Sequence, residues 1–332
     1  MANISIMGAG SFGLALAVTL NKAGHNITVW SFAEKEKQTI LQERENKIRL
    51  PGIRISENIN ITTDFKDISK ADLILISVPS TAVREVARNL KQHITSKTIV
   101  ANMSKGIEKG SLKGLSAVIS EELLGDVVVV HGPSHAEELA RDVPTSMVAA
   151  CINLETAKKV QILMQSKTVN VYISNDVKGL EAGSTLKNII AIAVGACTKL
   201  GIGDNLLAIL LTKGLCEIGK LGVAMGGSPQ TFVGLSGLGD LLATCLSEHS
   251  RNRRLGELIA QKISVREALQ KINMVVEGYD NAASIKKWEE KYKLHLPIMN
   301  TIYRVLYEGE NVEKITDALT EKSGAGFEYF WF

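Results

Sequence analysis

Six residues, Gly8-Ala9-Gly10-Ser11-Phe12-Gly13, constrain this chain more than any other stretch. They follow an apolar run at 4–7 and open a helical pattern rich in small residues at 12–23. Glycines at this spacing have separate physical tasks. Gly8 permits a tight turn, Gly10 leaves room for a pyrophosphate, and Gly13 lets the helix pack close to the strand. Amides at the start of that helix then face the negative charge. A glycine-rich turn alone is a weak signal. Placed between a strand and a helix at the start of the chain, it predicts a dinucleotide site with contacts from Gly8, Gly10 and Gly13.

The rest of the chain falls into two rhythms. Up to about residue 174, β-rich runs at 4–7, 26–30, 73–78, 98–103, 127–131, 146–150 and 169–173 alternate with helical patterns such as 12–23 and 81–90. Several runs are apolar throughout, as parallel strands covered on both faces should be. This predicts a doubly wound α/β sheet. Beyond residue 174 the strand signal stops. Helical segments are expected from Asn175 or Asp176 through 186 to 198, then near 205–225, 251–261, 265–272, 281–292, 298–307 and 312–321. Ser228-Pro229 reads as a cap followed by proline at the first helical position. The expected fold class is therefore α/β: a doubly wound nucleotide-binding domain at 1–180, then an all-α substrate domain at 181–332. The boundary is placed in a helix around 175–185.

Length and composition narrow the function classes. At 332 residues the chain has room for two cores. Four well-separated cysteines without CxxC spacing suit a reducing compartment and give no structural zinc pattern, so no metal is expected. A formal charge of +3 is too small to imply nucleic acid, though it suits anionic metabolites. With no signal-peptide pattern and no uninterrupted apolar span, a cytoplasmic location is expected, without an integral membrane segment.

After the second strand, an NAD-restricted site usually carries an acidic residue for the ribose 2′-hydroxyl. Here Ser31-Phe32 stands instead, with Glu34 slightly later and Lys35 and Lys37 on the next helix. That absence favours NADPH over NADH without excluding NADH. Either lysine also reads as an ordinary solvated helix charge.

Three strand ends carry polar sequences: Ser77-Val78-Pro79-Ser80, Asn102-Met103-Ser104-Lys105-Gly106 and His131-Gly132-Pro133-Ser134-His135-Ala136. Ligands of doubly wound sheets bind beyond such ends, which makes Lys105, Gly132 and Ser134 candidates. In the helical half, Lys187-Asn188 interrupts an apolar stretch where a lysine is expensive to bury. A snorkelling lysine and a chemically active one both fit. Asp240 and Thr244, four apart, share a helical face. Ser250-Arg251-Asn252-Arg253-Arg254 supplies donors suited to a phosphate, and some of its arginines fit a solvated helix start equally well.

Taken in order, strand-GAGSFG, MSKG, GPSHAEEL followed by VPT, LKNIIAI, GLSGLGDLLATC, SRNRR and VVEGYDN resemble the bacterial-type NAD(P)-dependent glycerol-3-phosphate dehydrogenase family across nearly the whole chain. The resemblance implies a Rossmann-type first domain and hydride transfer between dihydroxyacetone phosphate and sn-glycerol 3-phosphate, in support of phospholipid synthesis. It implies Lys187 as the proton acceptor, supported by Asn188, Asp240 and Thr244. Substrate contacts would come from Lys105, Gly132, Ser134, Lys187, Asp240, Ser250, Arg251 and Asn252. Cofactor contacts would add Ser11, Phe12, Phe32, Lys105, Ala136, Arg251, Val275 and Glu277 to the glycines of the turn.

The chemistry requires a base for the hydroxyl proton while hydride leaves carbon. Burial and nearby Lys105 or Arg251 are expected to lower the Lys187 pKa, with Arg251 and Asn252 holding the phosphate. Another two-domain reductase, for ketopantoate or a 3-hydroxyacid, is the near alternative; SRNRR after GLGD opposes it. A non-catalytic nucleotide sensor is the distant one. Partners expected are a small phosphorylated substrate and, beside a monomer, a homodimer. Five of sixteen aromatic residues fall at 327–332, which predicts a docked tail.

Overall fold

A computed structural model describes residues 1–320, and the aromatic tail at 327–332 lies outside the described residues. The chain divides into two compact units, the first Met1–Val177 and the second beginning at Lys178.

The first unit is built on eight strands: β1 (Asn3–Met7), β2 (Asn26–Trp30), β3 (Asn60–Thr62), β4 (Leu73–Ile76), β5 (Ile99–Asn102), β6 (Val127–His131), β7 (Thr145–Ala150) and β8 (Val169–Ser174). They form one sheet in the order β3-β2-β1-β4-β5-β6-β7-β8. Six helices accompany them: α1 (Ser11–Lys22), α2 (Glu34–Glu43), α3 (Val83–Leu90), α4 (Leu115–Glu122), α5 (Ala136–Ala140) and α6 (Leu154–Met164). Strand periodicity explains the two-sided burial. Leu73 and Leu75 belong to one apolar cluster with Ile4, Ile6 and Leu14, whereas Ile74 and Ile76 join Met7, Val83 and Ile119 in another.

The sheet departs from the expected strands in two places, an added parallel edge strand and one antiparallel pair. β3, three residues long and too short to announce itself in sequence, extends the edge beside β2. β7 runs antiparallel to β6, and β8 parallel to β7. The connection between β6 and β7 carries only the five-residue α5.

The described part of the second unit is helical: α7 (Val177–Lys199), α8 (Asp204–Ala224), α9 (Pro229–Phe232), α10 (Asp240–Leu246), α11 (Arg251–Ala260), α12 (Val265–Ile272), α13 (Glu277–Ala282), α14 (Ile285–Tyr292), α15 (Pro297–Tyr307) and α16 (Lys314–Thr320). The segment expected as one helix at 281–292 is two, α13 and α14, separated at Ala283 and Ser284. Pro229 occupies the first turn of α9 as expected, but Ser228 does not cap it through its side chain; the Ser228 hydroxyl donates to Gln230. A π-helical turn over Leu235–Gly239 leads into α10.

α7 is apolar around its circumference and buried from Gly179 to Cys197, the burial expected of a core helix. Among the described residues it alone is long and apolar enough to cross a membrane, and its most apolar window lies wholly inside the protein. α11 crosses it at backbone contact distance. A Cβ on Gly195 would lie 1.9 Å from the Arg253 carbonyl oxygen, and one on Gly256 would lie 2.0 Å from that of Ile192. Two glycines therefore set how near the arginine-rich helix comes to the helix bearing Lys187.

Candidate functional site

The glycine turn leaves the end of β1, which lies between β2 and β4 inside the first unit's sheet. The Gly8 N–H donates to the Trp30 carbonyl at the end of β2, 2.9 Å away. With φ +119°, Gly8 adopts a backbone that other residues rarely reach, and a Cβ there would lie 2.5 Å from the Ser77 carbonyl oxygen beyond β4. Gly13 is pressed against the turn itself, its hypothetical Cβ 2.0 Å from the Gly8 oxygen. Around Gly10, by contrast, no protein atom comes within 4 Å of an added Cβ. α1 begins at Ser11 without a side-chain cap and without an acidic residue in its first turn. Its leading amides and the space at Gly10 fit a dinucleotide pyrophosphate. Phe12 is partly buried and Phe32 is exposed.

The polar strand ends are tied together by buried groups. Asn102 and His131 sit at the ends of β5 and β6, 0% and 2% exposed. Asn102 donates to the Ser104 carbonyl at 3.0 Å and accepts from the Ser104 N–H at 3.1 Å. The Ser104 hydroxyl donates to the Val78 carbonyl at 2.6 Å, and His131 Nε2 lies 3.1 Å from the Ser104 carbonyl oxygen. This network fixes the backbone next to Lys105. Ser134 donates to the Gly132 carbonyl at 3.0 Å, and a Cβ on Gly132 would lie 2.7 Å from the Ser146 carbonyl oxygen. Gly132 is thus required by the approach of β7 whatever else it contacts. Ala136, buried, starts α5.

In the second unit, four distant segments converge on one polar cluster. Lys187 is 3% exposed and does not snorkel. Its Nζ donates to Asp240 Oδ1 at 2.6 Å and to the Thr244 hydroxyl. Successive turns of α10 present those two acceptors, as their spacing requires. Two influences oppose each other at the ammonium: burial disfavours the charge, and the adjacent carboxylate favours it. The Asp240 carboxylate lies in hydrogen-bond contact with that ammonium. Cys245, next to Thr244, has its thiol pKa pushed up to about 12 by burial.

Asn188 links this cluster to the arginine segment. Its Oδ1 accepts from Asn252 at 3.0 Å, and its Nδ2 donates to Glu277 at 3.2 Å. The Asn252 Oδ1 in turn accepts from the Gly278 N–H at 2.9 Å. The Asn252 side-chain amide is therefore engaged within the protein through both its nitrogen and its oxygen. Ser250 caps α11 by accepting from the Arg253 N–H, which puts Arg251 and Asn252 in the first turn. Arg251 donates to the Val275 carbonyl at 2.7 Å. Arg253 spends its guanidinium on the Leu246 carbonyl and Glu257, and Arg254 is exposed.

Sequence reading missed Asn281, 2% exposed, whose Nδ2 donates to the Thr185 carbonyl, and Glu36, which turns back to Ser31 at the end of β2. Asn281 had a weak signal in the polar EGYDN stretch. Glu36 had none, because only folding brings it to the strand. Among the described residues, no group of three or more His, Cys, Asp or Glu side chains is placed to hold a metal ion.

Two family models match in chain order: NAD-dependent glycerol-3-phosphate dehydrogenase N-terminus over residues 3–157, and the C-terminus of the same family over 176–317. The chain is 46% identical over 309 residues to a glycerol-3-phosphate dehydrogenase [NAD(P)+] of Thermoanaerobacter sp. (strain X514), covering 93% of each. It is 42% identical over 323 residues to the protein of that name from Fusobacterium nucleatum subsp. nucleatum, covering 96% of each. The crystal structure of glycerol-3-phosphate dehydrogenase (gpsA) from Coxiella burnetii matches with TM-score 0.92 and 34% identity, over 97% of this chain and 99% of that one. A ketopantoate reductase from Ralstonia eutropha JMP134 matches with TM-score 0.62 at 16% identity, over 96% and 99%, and shares the fold alone.

Proposed function

The chain belongs to the NAD-dependent glycerol-3-phosphate dehydrogenase family, and we propose that it interconverts dihydroxyacetone phosphate and sn-glycerol 3-phosphate. The observation that carries this reading is the buried Lys187–Asp240–Thr244 cluster, joined through Asn188 and Asn252 to the start of α11. A bound NADPH or NADH supplies the hydride, and NAD(P)+ accepts it in the reverse direction. Lys187 takes the hydroxyl proton in alcohol oxidation and returns it to the ketone oxygen in reduction. Asp240 and Thr244 fix its Nζ through two hydrogen bonds, so the amine has few orientations to lose on reaction. Asn188, held by Asn252 and Glu277, positions the next residue of α7.

Arg251 and the first-turn amides of α11 are the proposed phosphate donors, because a helix start and a guanidinium both favour an anion. Asn252 and Ser250 are proposed substrate contacts beside them, Ser250 also accepting from the Arg253 N–H as the cap of α11. Lys105, Gly132 and Ser134 are the first unit's proposed substrate contacts. Ser11, Phe12, Phe32, Lys105 and Ala136, with Arg251, Val275 and Glu277, are the proposed cofactor contacts beside the glycines. The proposed setting is the cytoplasm, with the product feeding glycerophospholipid synthesis. The chain's own residues divide at 180 into the proposed nucleotide and substrate domains, and a homodimer is the proposed assembly.

The test is oxidation of NADPH and NADH by the purified chain with dihydroxyacetone phosphate, with ketopantoate, and with no substrate. Turnover with dihydroxyacetone phosphate alone is expected. Turnover with ketopantoate instead would reject the substrate assignment. Arg251→Ala should weaken phosphate recognition by about 1.5–3 kcal/mol, with unphosphorylated dihydroxyacetone far less affected; equal losses on both would remove Arg251 from that role.

A further inference from the structure

At the end of β2 a carboxylate stands where the linear sequence offers none. Ser31, 0% exposed, donates its hydroxyl to Glu36 Oε2 at 2.7 Å. The other carboxylate oxygen, Oε1, accepts from Asn46 Nδ2 at 3.4 Å. Asn46 is itself buried, and its Oδ1 accepts from the Arg49 N–H at 3.1 Å. The Arg49 carbonyl accepts from the hydroxyl of Ser11, the first residue of α1. One run of contacts therefore ties Glu36 to both the end of β2 and the glycine turn, so this carboxylate is held in place on both oxygens.

The charges around it point the same way. Phe32 and Ala33, which follow Ser31, bring no cation. Lys37 Nζ lies 3.2 Å from Glu34 Oε1, and Glu34 also accepts from the Thr63 hydroxyl at 2.8 Å. Of the two lysines on α2, Lys37 is paired within its own helix and Lys35 is exposed. The Ser31 hydroxyl has given its single proton to Glu36, so it has none left for a phosphate oxygen.

We propose that Glu36 reads the 2′ position of the adenosine ribose, accepting from a 2′-hydroxyl and repelling a 2′-phosphate, so that the chain binds NAD(H) more tightly than NADP(H). In nucleotide-binding sheets of this kind the discriminating acid closes the second strand. Here α2 supplies it from its third residue. This assignment rests on the dinucleotide site proposed above and reverses the NADPH preference expected from the missing acid after β2.

Isothermal titration of the full chain with ADP-ribose and with 2′-phospho-ADP-ribose tests it through binding alone, since neither ligand carries nicotinamide. ADP-ribose is expected to bind the wild-type chain at least about tenfold more tightly, the scale of like charges brought together in a site. Glu36→Gln keeps the side chain's size and its oxygen for Ser31 while removing the charge. It should tighten the 2′-phosphorylated ligand about tenfold and change ADP-ribose less than about threefold. Equal or tighter wild-type binding of the 2′-phosphorylated ligand overturns the Glu36 assignment and leaves the dinucleotide site standing. So does an equal shift of both ligands in the variant. Absence of binding by both ligands in the wild type overturns the site and the assignment together.

Discussion

The glycine turn of the first unit and the lysine cluster of the second reach their geometry by opposite means. The turn works by leaving side chains out: Gly8 takes a backbone angle closed to most residues, Gly13 lets α1 press on the turn, and Gly10 keeps space open. Its members lie within six residues. The cluster works by filling space with polar side chains from α7, α10, α11 and α13, with contacts between residues 26 to 89 apart in the chain. One is a local device tolerant of distant change, the other a tertiary device in which each member depends on the rest. Breaking each should therefore produce a different kind of damage.

The largest effect is expected at Lys187. Lys187→Ala should lower turnover by about 10²–10⁴-fold, the usual range for a positioned acid–base group, while calorimetric affinity for the nucleotide stays within about threefold, well short of a lost charged contact. Near-normal turnover in the folded variant would remove Lys187 as the proton-transferring group. Next comes its partner. Asp240→Ala leaves a buried ammonium without its carboxylate, at a cost of about 3–5 kcal/mol. Denaturant unfolding should show that loss, and a change below 1 kcal/mol (about the worth of an exposed pair) would mean the pair is not desolvated.

A second buried acid in the same unit sharpens the contrast. Glu217 on α8, 4% exposed, accepts from the Ile298 and Met299 N–H groups at 2.7 and 2.9 Å, at the start of α15. Burial raises its pKa from 4.5 to about 7 against the lowering effect of those two N–H groups. A folded-state value above the unfolded one means stability that is present at low pH and lost as pH rises from about 4.5 through about 7. Relative to Glu217→Gln, the wild-type chain should lose about 3 kcal/mol between pH 4.5 and 8. A pH-independent difference in melting temperature between the two would show that the carboxyl titrates normally.

The smallest effect on the fold is expected at the turn. Gly8→Ala forces a Cβ against Ser77 at an unfavourable φ, costing about 1–3 kcal/mol. Nucleotide affinity should fall about tenfold or more, since about 1.4 kcal/mol corresponds to a factor of ten, while the second unit's melting is unchanged. Intact affinity in that variant would show the turn is not the nucleotide contact.

What could be read in advance follows the same division. Strand periodicity placed β1, β2, β4, β5 and β6 to within two residues at their ends, because burial on both faces leaves a continuous apolar run. The three-residue β3 had too few positions to show a period, and an apolar run such as β7 reads the same in either direction beside β6. Lys187 stood out as a charge in an apolar helix, and Asp240 and Thr244 as an i, i+4 pair. Only the family resemblance joined them; no local pattern did.

By itself, the sequence determined the elements whose causes are local: the glycine turn after β1, the alternation of strands and helices, the buried character of α7, and the motif order that marks the family. Tertiary structure alone decided which acid faces Lys187, that Asn252 turns its side chain to Asn188 and Gly278, and that Glu36 closes β2 beside Ser31. Backbone propensity and apolar periodicity act over a few residues and leave a trace in the order of letters. A hydrogen bond between side chains acts over about 3 Å of space, and the fold sets that distance independently of separation along the chain.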